Sequence, residues 1–438
     1  MRLGGSDSIS TLKVSLQTEA EQVLARYLDG NEQTPVAVAF SGGSDSLATL
    51  ILTLDFAARR GRRVLALTLD HGLQEASRQW TQHCAMLAAS LGAEPISLIW
   101  ESERPSADAS GLPAAARTAR HRLLAREAKA HGAKVLIFGH TQDDQRESDW
   151  MRRSEGSTLG RLKAWGPSPV WPEGRGVFLL RPVLNQSRED LRAYLTGKGL
   201  GWIEDPANQD PRFGRARARM ALANLEAEVP TVMSGSEPIF WPKDLGPWTA
   251  YGALVLDREA LQEAPQGLES FMARALLSVS GHDAAPRYPS LQRLTSALRD
   301  GAPFTATLSG AQVRASPDQV WIIREAGRKG LAPLDLLPMV SSPPVWDGRF
   351  QIGGGAAGAQ VIALRGQAKR LSPRDRKRLA DLPAPLRATL PLVARSDGTV
   401  SLPTFMGETC TLNIAADSVI LQRLAAACGR IISEQALG

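Results

Sequence analysis

The chain has 438 residues and a formal charge of +6, with 43% hydrophobic and 22% charged residues. That length carries two or three domains, each with its own core, and the composition excludes a disordered or collagen-like chain. No apolar run reaches the roughly 20 residues of a membrane helix, the first ten residues lack an apolar signal core, and Cys84, Cys410 and Cys428 are too scattered for a disulfide framework, a zinc finger or a cysteine-held cluster. A soluble, cytoplasmic protein with no membrane partner is expected; its oligomeric state is left open, a homodimer included.

From 36 to 140 short apolar runs alternate with longer helical patterns. VAVAF (36–40), RVLALTLD (63–70), PISLIW (95–100) and KVLIFGH (134–140) read as strands, with helices at 47–60, 74–91 and 113–130 between them. Such alternation predicts parallel β-α-β units with right-handed crossovers, a doubly wound parallel α/β sheet. Ligands of such sheets bind beyond the carboxyl ends of the strands. After about 165 the pattern is irregular. WGPSPVWPEGRG (165–176) reads as a loop, and 187–198 as a helix with Ser187 as N-cap and Asp190 three residues on. A junction at 221–250 precedes a mixed segment, with helices at 266–280 and 288–299 and strands near 303–308 and 319–324. The proline-rich 331–346 reads as a linker, and the tail as a small α+β domain with short strands, a basic stretch and a helix at 416–428. The partition is therefore 1–222, 223–335 and 336–438.

SGGSDS (41–46) follows directly on the first strand and opens a helix. Gly42 and Gly43 permit positive φ and let backbone amides approach an anion, and the helix N-terminus adds a favourable dipole. The hydroxyls of Ser41, Ser44 and Ser46 supply further donors. No lysine closes the loop, so it is not of the G-x-x-x-x-G-K-[ST] type. Asp45 would repel bare phosphate and makes chemical sense there with Mg²⁺ between the two. A serine-capped polar turn accounts for the same residues equally well.

GHTQDDQRES (139–148) ends another strand and runs into a helix, on which Asp144 and Glu147, and Asp143 and Glu147, share one face. Unpaired like charges there cost a few tenths of a kcal/mol, and a metal ion turns that cost into affinity. The helix dipole alone also favours a solvated acidic start, an account that weakens beside the serine–glycine loop. His140 can orient a phosphate, carry a proton or be merely structural. LDHGL (69–73) brings Asp70 and His71 to the same rim. Arg117 and Arg120 lie one turn apart on a helix and can reach phosphate, although by spacing alone they are ordinary surface arginines.

The placement of positive charge says more than its sum. Seven basic residues lie in 365–378 (Arg365, Lys369, Arg370, Arg374, Arg376, Lys377, Arg378) against one acid, Asp375, and Arg212, Arg215, Arg217 and Arg219 form a second cluster. Both suit a polyanionic partner, and both equally suit solvated helix faces.

Together these residues resemble the N-type ATP pyrophosphatases, whose PP-loop SGGSDS matches, and within that superfamily the tRNA(Ile)-lysidine synthetases. DHGL (70–73), ARTARH (116–121) for A-R-x-x-R-Y, GHTQDDQRES for G-H-H-x-x-D-Q-x-E-T and EDPANQDPRFGRARAR (204–219) for E-D-P-S-N…R-N-x-x-R carry the likeness, as does the tail from about 345. His121, Thr141, Ser148 and Ala216 depart from those patterns, and the family's R-G-S-G stretch appears only as RRSEGSTLG (152–160).

The resemblance implies that free L-lysine is ligated to C2 of the wobble cytidine of a CAU-anticodon tRNA(Ile), with ATP cleaved to AMP and pyrophosphate through an adenylated cytidine. It implies a catalytic domain at 1–222, a substrate-binding domain at 223–335 and a tRNA-binding domain at 336–438. By the same likeness Ser41, Gly42, Gly43, Ser44, Asp45, Ser46 and Asp70 bind ATP, and Asp45 and Asp144 hold Mg²⁺. Catalysis falls to Asp45, Asp144, Glu147, His140 and Arg120, and RNA contacts to Arg117, Arg215, Arg217, Arg219, Lys369, Arg370, Arg374, Arg376, Lys377 and Arg378. A PP-loop tRNA thiolase is the nearest rival, disfavoured by the scattered cysteines. A non-catalytic tRNA-binding protein is disfavoured by the retained carboxylates, which binding alone does not need.

Overall fold

The computed structural model describes residues 6–28, 30–70, 77–100, 112–154, 168–170, 174–204, 214–223, 251–264, 267–280, 286–336, 345–353, 358–405 and 413–415, with 420–421, 423–424 and 428. The chain forms two compact units, one of 1–156, 165–232 and 431–438 and the other of 157–164 and 233–430.

The first unit begins with α1 (Ser6–Tyr27), in which Leu16, Ala20 and Leu24 recur every four residues and are buried. There follow β1 (Val36–Ala39), α2 (Ser44–Ala58), β2 (Val64–Asp70), α3 (Ser77–Ser90), β3 (Glu94–Ile99), α4 (Leu112–Ala130) and β4 (Val135–Ile137). Beyond them come α5 (Gln142–Ser154), β5 (Ser168–Val170), β6 (Gly174–Leu180), α6 (Arg188–Gly197) and α7 (Gly214–Ala223). One sheet runs β3-β2-β1-β4-β6-β5, five strands parallel and β5 antiparallel at the edge.

Successive strand residues face opposite sides and serve two cores. Val36, Val38, Val64, Ala66, Val135 and Ile137 pack with residues of α1, α2, α3 and α6. Ala37, Ala39, Leu65, Leu67 and Leu136 pack with Leu124, Ala125 and Ala128 of α4. Covered faces on both sides explain the near-continuous apolar runs, and the expected doubly wound sheet is present. The chain builds outward from β1 through β2 to β3, then returns to place β4 on the other side of β1. That reversal opens a crevice at the carboxyl ends of β1 and β4, where open α/β sheets bind ligands.

Two sequence expectations need correction. The stretch 165–176, read as a loop, contains β5 and the start of β6; Pro169 cannot donate to a ladder and is tolerated because β5 is an edge strand. The stretch 331–346, read as a linker, has folded ends, with Leu336 and Trp346 buried in a core; 337–344 lie outside the described residues. The helix expected at 187–198 starts at Ser187, whose side chain and that of Asp190 form a reciprocal capping box.

In the second unit β7 (Leu254–Asp257), α8 (Arg258–Gln262), α9 (Leu268–Ser280), α10 (Tyr288–Arg299), β8 (Phe304–Leu308), β9 (Ala311–Ala315) and β10 (Gln319–Arg324) form an antiparallel sheet, β7-β10-β9-β8, packed on α9 and α10. Strands β7 and β9 are absent from the sequence expectations. The link between β8 and β9 is only two residues, Ser309 and Gly310, at φ 49° and 73°, the conformation tight hairpins favour. Next come β11 (Leu334–Asp335), β12 (Val345–Trp346), β13 (Phe350–Gly353), β14 (Gln360–Ala363), α11 (Pro373–Arg378), α12 (Ala384–Ala388), β15 (Pro391–Ala394), β16 (Val400–Ser401), β17 (Thr404–Phe405) and β18 (Asn413–Ala415). They make two small sheets, β11-β14-β15-β16 and β12-β13-β18-β17. The helix expected at 416–428 is described only at 420–421 and 423–424, where it is helical. No helix among the described residues is long and apolar enough to cross a membrane.

Candidate nucleotide and carboxylate site

At the end of β1 the backbone turns through Gly42, at φ 76°. A Cβ on Gly42 would lie 2.6 Å from Ile203 Cδ1 and 2.8 Å from Cys84 Sγ, so only glycine fits both the dihedral and the space. The Ile203 N–H donates to Gly42 O at 2.9 Å, pinning the loop. Ser46 Oγ accepts from the Ser41 N–H at 3.2 Å and donates to Gly43 O at 3.0 Å. Gly43 is the N-cap of α2 and offers no side-chain acceptor to its first-turn amides. Orphan donors plus the helix dipole make an anion site. Burial pushes the Cys84 thiol up to about 11, far from a reactive thiolate.

Three carboxylates converge beside that loop, and the residue that gathers them is Arg188. Its Nε donates to Asp45 Oδ2 at 3.0 Å, its Nη1 to Glu147 Oε1 at 3.4 Å, and its Nη2 lies 3.9 Å from Asp144 Oδ1. Arg215 donates to Asp144 Oδ1 at 2.9 Å and Arg219 to Glu147 Oε1 at 2.6 Å. Asp144 is 5% exposed and Glu147 1% exposed. Glu147 Oε2 is buried with no hydrogen-bond partner among the described residues. Burial raises the Asp45 carboxyl above its ordinary range, outweighing the attraction of Arg188. Burial also opposes the Arg188 charge, but Asp45, Glu147 and Asp144 more than reverse it and hold the guanidinium above its usual range. Among the described residues no ready-made cage of three metal-ligating side chains exists; the acids meet at an arginine instead.

Thr141 stands where the resembled pattern has a second histidine. It is fully buried, and both its N–H, at 2.9 Å, and its hydroxyl, at 3.2 Å, donate to Asp144 Oδ2. Its role here is to orient that acid. His140 Nδ1 accepts from Arg181 Nε at 3.0 Å while the ring stacks on Phe138 at 5.4 Å. The arginine donor makes Nδ1 an acceptor, which fixes the orientation of the ring. The Arg120 guanidinium lies over the same Phe138 ring, 5.8 Å from its centroid. Burial lowers its guanidinium, Arg215 adds like-charge repulsion, and Asp144 opposes both.

The structure thus brings Asp45, Asp144 and Glu147 into contact with one guanidinium. Arg215 and Arg219 turn onto the acids, while Arg217 is exposed. Asp70 is buried at the end of β2. The Arg117 side chain, His71, residues 205–213 and residues 155–160 lie outside the described residues. In the second unit Lys369, Arg370, Arg374, Arg376, Lys377 and Arg378 are all exposed. Ser372 caps α11, and Leu371 and Leu379 anchor it in the core. Arg378 pairs with Asp375 at 3.8 Å and Arg370 donates to Gly398 O; the other four have no ion pair among the described residues.

The sequence reading missed Arg188 and Arg181. One signal pointed to the former: a cation on the first residue of a helix opposes the dipole and needs an acidic partner elsewhere.

Residues 4–226 match the family described as the PP-loop domain. Over 383 residues the chain is 44% identical to the tRNA(Ile)-lysidine synthase of Caulobacter vibrioides, covering 87% of this chain and 89% of that one. With the tRNA(Ile)-lysidine synthase of Hyphomonas neptunium it shares 37% identity over 325 residues, 71% of this chain and 87% of that one. Among solved structures, a U34-tRNA thiolase from Methanococcus maripaludis aligns with a TM-score of 0.42 and 16% identity, over 50% of this chain and 74% of that one, a likeness too distant to bear on function. Shared over most of its length with named relatives, and with the loop and acids of the site in place, the chain belongs to the tRNA(Ile)-lysidine synthase family.

Proposed function

We propose that the protein ligates lysine to C2 of the wobble cytidine of a CAU-anticodon tRNA(Ile). The observation that carries this reading is the meeting of Asp45, Asp144 and Glu147 beside an uncapped helix N-terminus at the β1–β4 switch point. The cytosine C2 oxygen is a poor leaving group. In the first step it bonds to the α-phosphorus of ATP while the bond to the bridging oxygen breaks and pyrophosphate departs. In the second the lysine amine bonds to C2, AMP leaves with the original oxygen, and the amine gives up a proton.

The loop of Ser41, Gly42, Gly43, Ser44 and Ser46 would hold the departing pyrophosphate through first-turn amides, with Asp70 at the end of the neighbouring strand β2. His140 and Arg120 would stabilise phosphate charge as it develops. Lysine's amine, with an ordinary pKa of about 10.4, needs another group to take its proton.

The donor chemistry fits Mg²⁺, which binds through one or two carboxylates plus phosphate and water rather than an all-protein cage. Asp45 and Asp144 would hold it, with the unpartnered Glu147 Oε2 in reserve. Bound there, it would neutralise charge on the leaving pyrophosphate.

The exposed basic stretch of the second unit supplies a sequence-independent grip on tRNA phosphates, and Arg217 offers a further cation. Replacing Arg374, Arg376 and Lys377 together by Glu should weaken tRNA binding at least tenfold at physiological salt. The slope of log K against log[salt] should flatten by roughly 0.7 per lost contact. Filter binding across a salt series reads both, and an unchanged affinity and slope would remove this segment from the interface.

The deciding experiment is pyrophosphate release from ATP, with and without the tRNA and lysine. Release that depends on the tRNA, followed by incorporation of lysine into it, is expected. Release that follows tRNA and a sulfur donor but ignores lysine would point to thiolation.

A further inference from the structure

The acids assigned above to a divalent cation are already gathered by a cation of the chain's own. Arg188 reaches Asp45 at 3.0 Å, Glu147 at 3.4 Å and Asp144 at 3.9 Å. Its backbone N–H is fixed separately, donating to Asp143 Oδ2 at 2.7 Å. The main chain is therefore anchored while the guanidinium rides on a flexible stem that is one-fifth exposed.

The three acids are not equivalent. Asp144 and Glu147 keep second cationic partners in Arg215 and Arg219. Asp45 has Arg188 as its one cationic partner among the described residues. A guanidinium spanning these oxygens and a divalent ion bridging them neutralise the same charge and repel each other, so they exclude one another.

We infer that Arg188 is a displaceable counter-ion: it competes with the divalent cation for Asp45, Asp144 and Glu147, and on exchange it frees Asp45 and turns toward the phosphate side of the site. This rests on reading the three acids as the cation site of the proposed reaction. It explains why acids suited to Mg²⁺ surround an arginine, and why a helix begins with a cation against its own dipole.

The test uses the full chain without tRNA or lysine, and Mn²⁺ as a spin-active probe. Arg188→Met should tighten Mn²⁺ binding tenfold or more over wild type, with Arg188→Lys in between, and Asp144→Asn should abolish the binding in either background. Equal, weaker or absent Mn²⁺ binding by Arg188→Met would overturn the inference, because an arginine that merely organised the acids would be needed for cation binding. A readout on the unmutated protein guards against misfolding. The Arg188 Nε–H NMR resonance, identified by its loss in Arg188→Lys, should move as Mg²⁺ is titrated, and a resonance that stays put at saturation would also overturn it. Neither readout requires lysidine formation. A failed pyrophosphate assay with this Mn²⁺ pattern intact would sink the proposed reaction alone, and the reverse would sink the counter-ion alone.

Discussion

Asp45→Asn is expected to leave a folded protein whose tRNA-dependent pyrophosphate release falls about 1,000-fold or more, roughly 4 kcal/mol of transition-state stabilisation. The substitution keeps the shape and the hydrogen bond to Ser44 but removes the charge that would hold a cation against the leaving group. The fold should tolerate it, and the direction of the Asp45 shift says why. Burial is the largest influence on that carboxyl and raises it. A raised acid contributes its stability below the ordinary carboxylate value of about 3.9 and loses it as pH rises through the raised value. At neutral pH the ionised Asp45 is therefore a net cost to folding. The melting temperature of the Asn variant, relative to wild type, should rise between about pH 4 and neutrality, as thermal melts across that range would show. Function here opposes stability, as is common at sites that gather like charges. Residual release above one-tenth of wild type would remove Asp45 from the chemistry.

The parallel sheet was legible because β1, β2 and β4 are buried on both faces, which writes apolar runs directly into the chain. The Ser187 cap was legible because a capping box is purely local. Strand β6 was not: its partner is β4, some forty residues earlier, and the Pro and Gly of the stretch before it signal a turn whatever that turn connects. Strand β9 hid for a related reason, since Ser309 and Gly310 make so short a reversal that the hairpin reads as one strand and a tail. At the site, each acid could be named from its own motif. Their meeting point could not, because Arg188 comes from a helix start that looks complete without it. Thr141 shows the same limit from the other side: a departure from a pattern, read by position, gives no hint that the new hydroxyl orients Asp144.

Gly139→Ala should damage fold and activity together, for a reason that only the packing reveals. Gly139 leaves β4 against the first turn of α2. A Cβ there would lie 2.6 Å from Asp45 O, 2.8 Å from its carbonyl carbon and 2.8 Å from Thr49 Oγ1. The Thr49 hydroxyl already donates to Asp45 O at 2.7 Å, so the methyl would meet a main chain held on both sides rather than a side chain that can swing away. Relief requires β4 and α2 to separate, at a cost of about 2–3 kcal/mol typical of overpacking. That corresponds to a drop of roughly 4–12 °C in melting temperature for domains of this size. The separation would carry Asp45 away from Asp144 and Glu147, and a displacement near 1 Å in a reacting constellation costs on the order of 100-fold in rate. Gly201→Ala is the control, because a Cβ there meets nothing within 4 Å; it should melt within about 0.5 kcal/mol of wild type and keep full activity. Equal behaviour of the two variants would mean that the β4 end does not press on the loop helix. A Gly139 variant that alone melts early and releases pyrophosphate slowly would show that the distance between two strand ends sets the geometry of the acids.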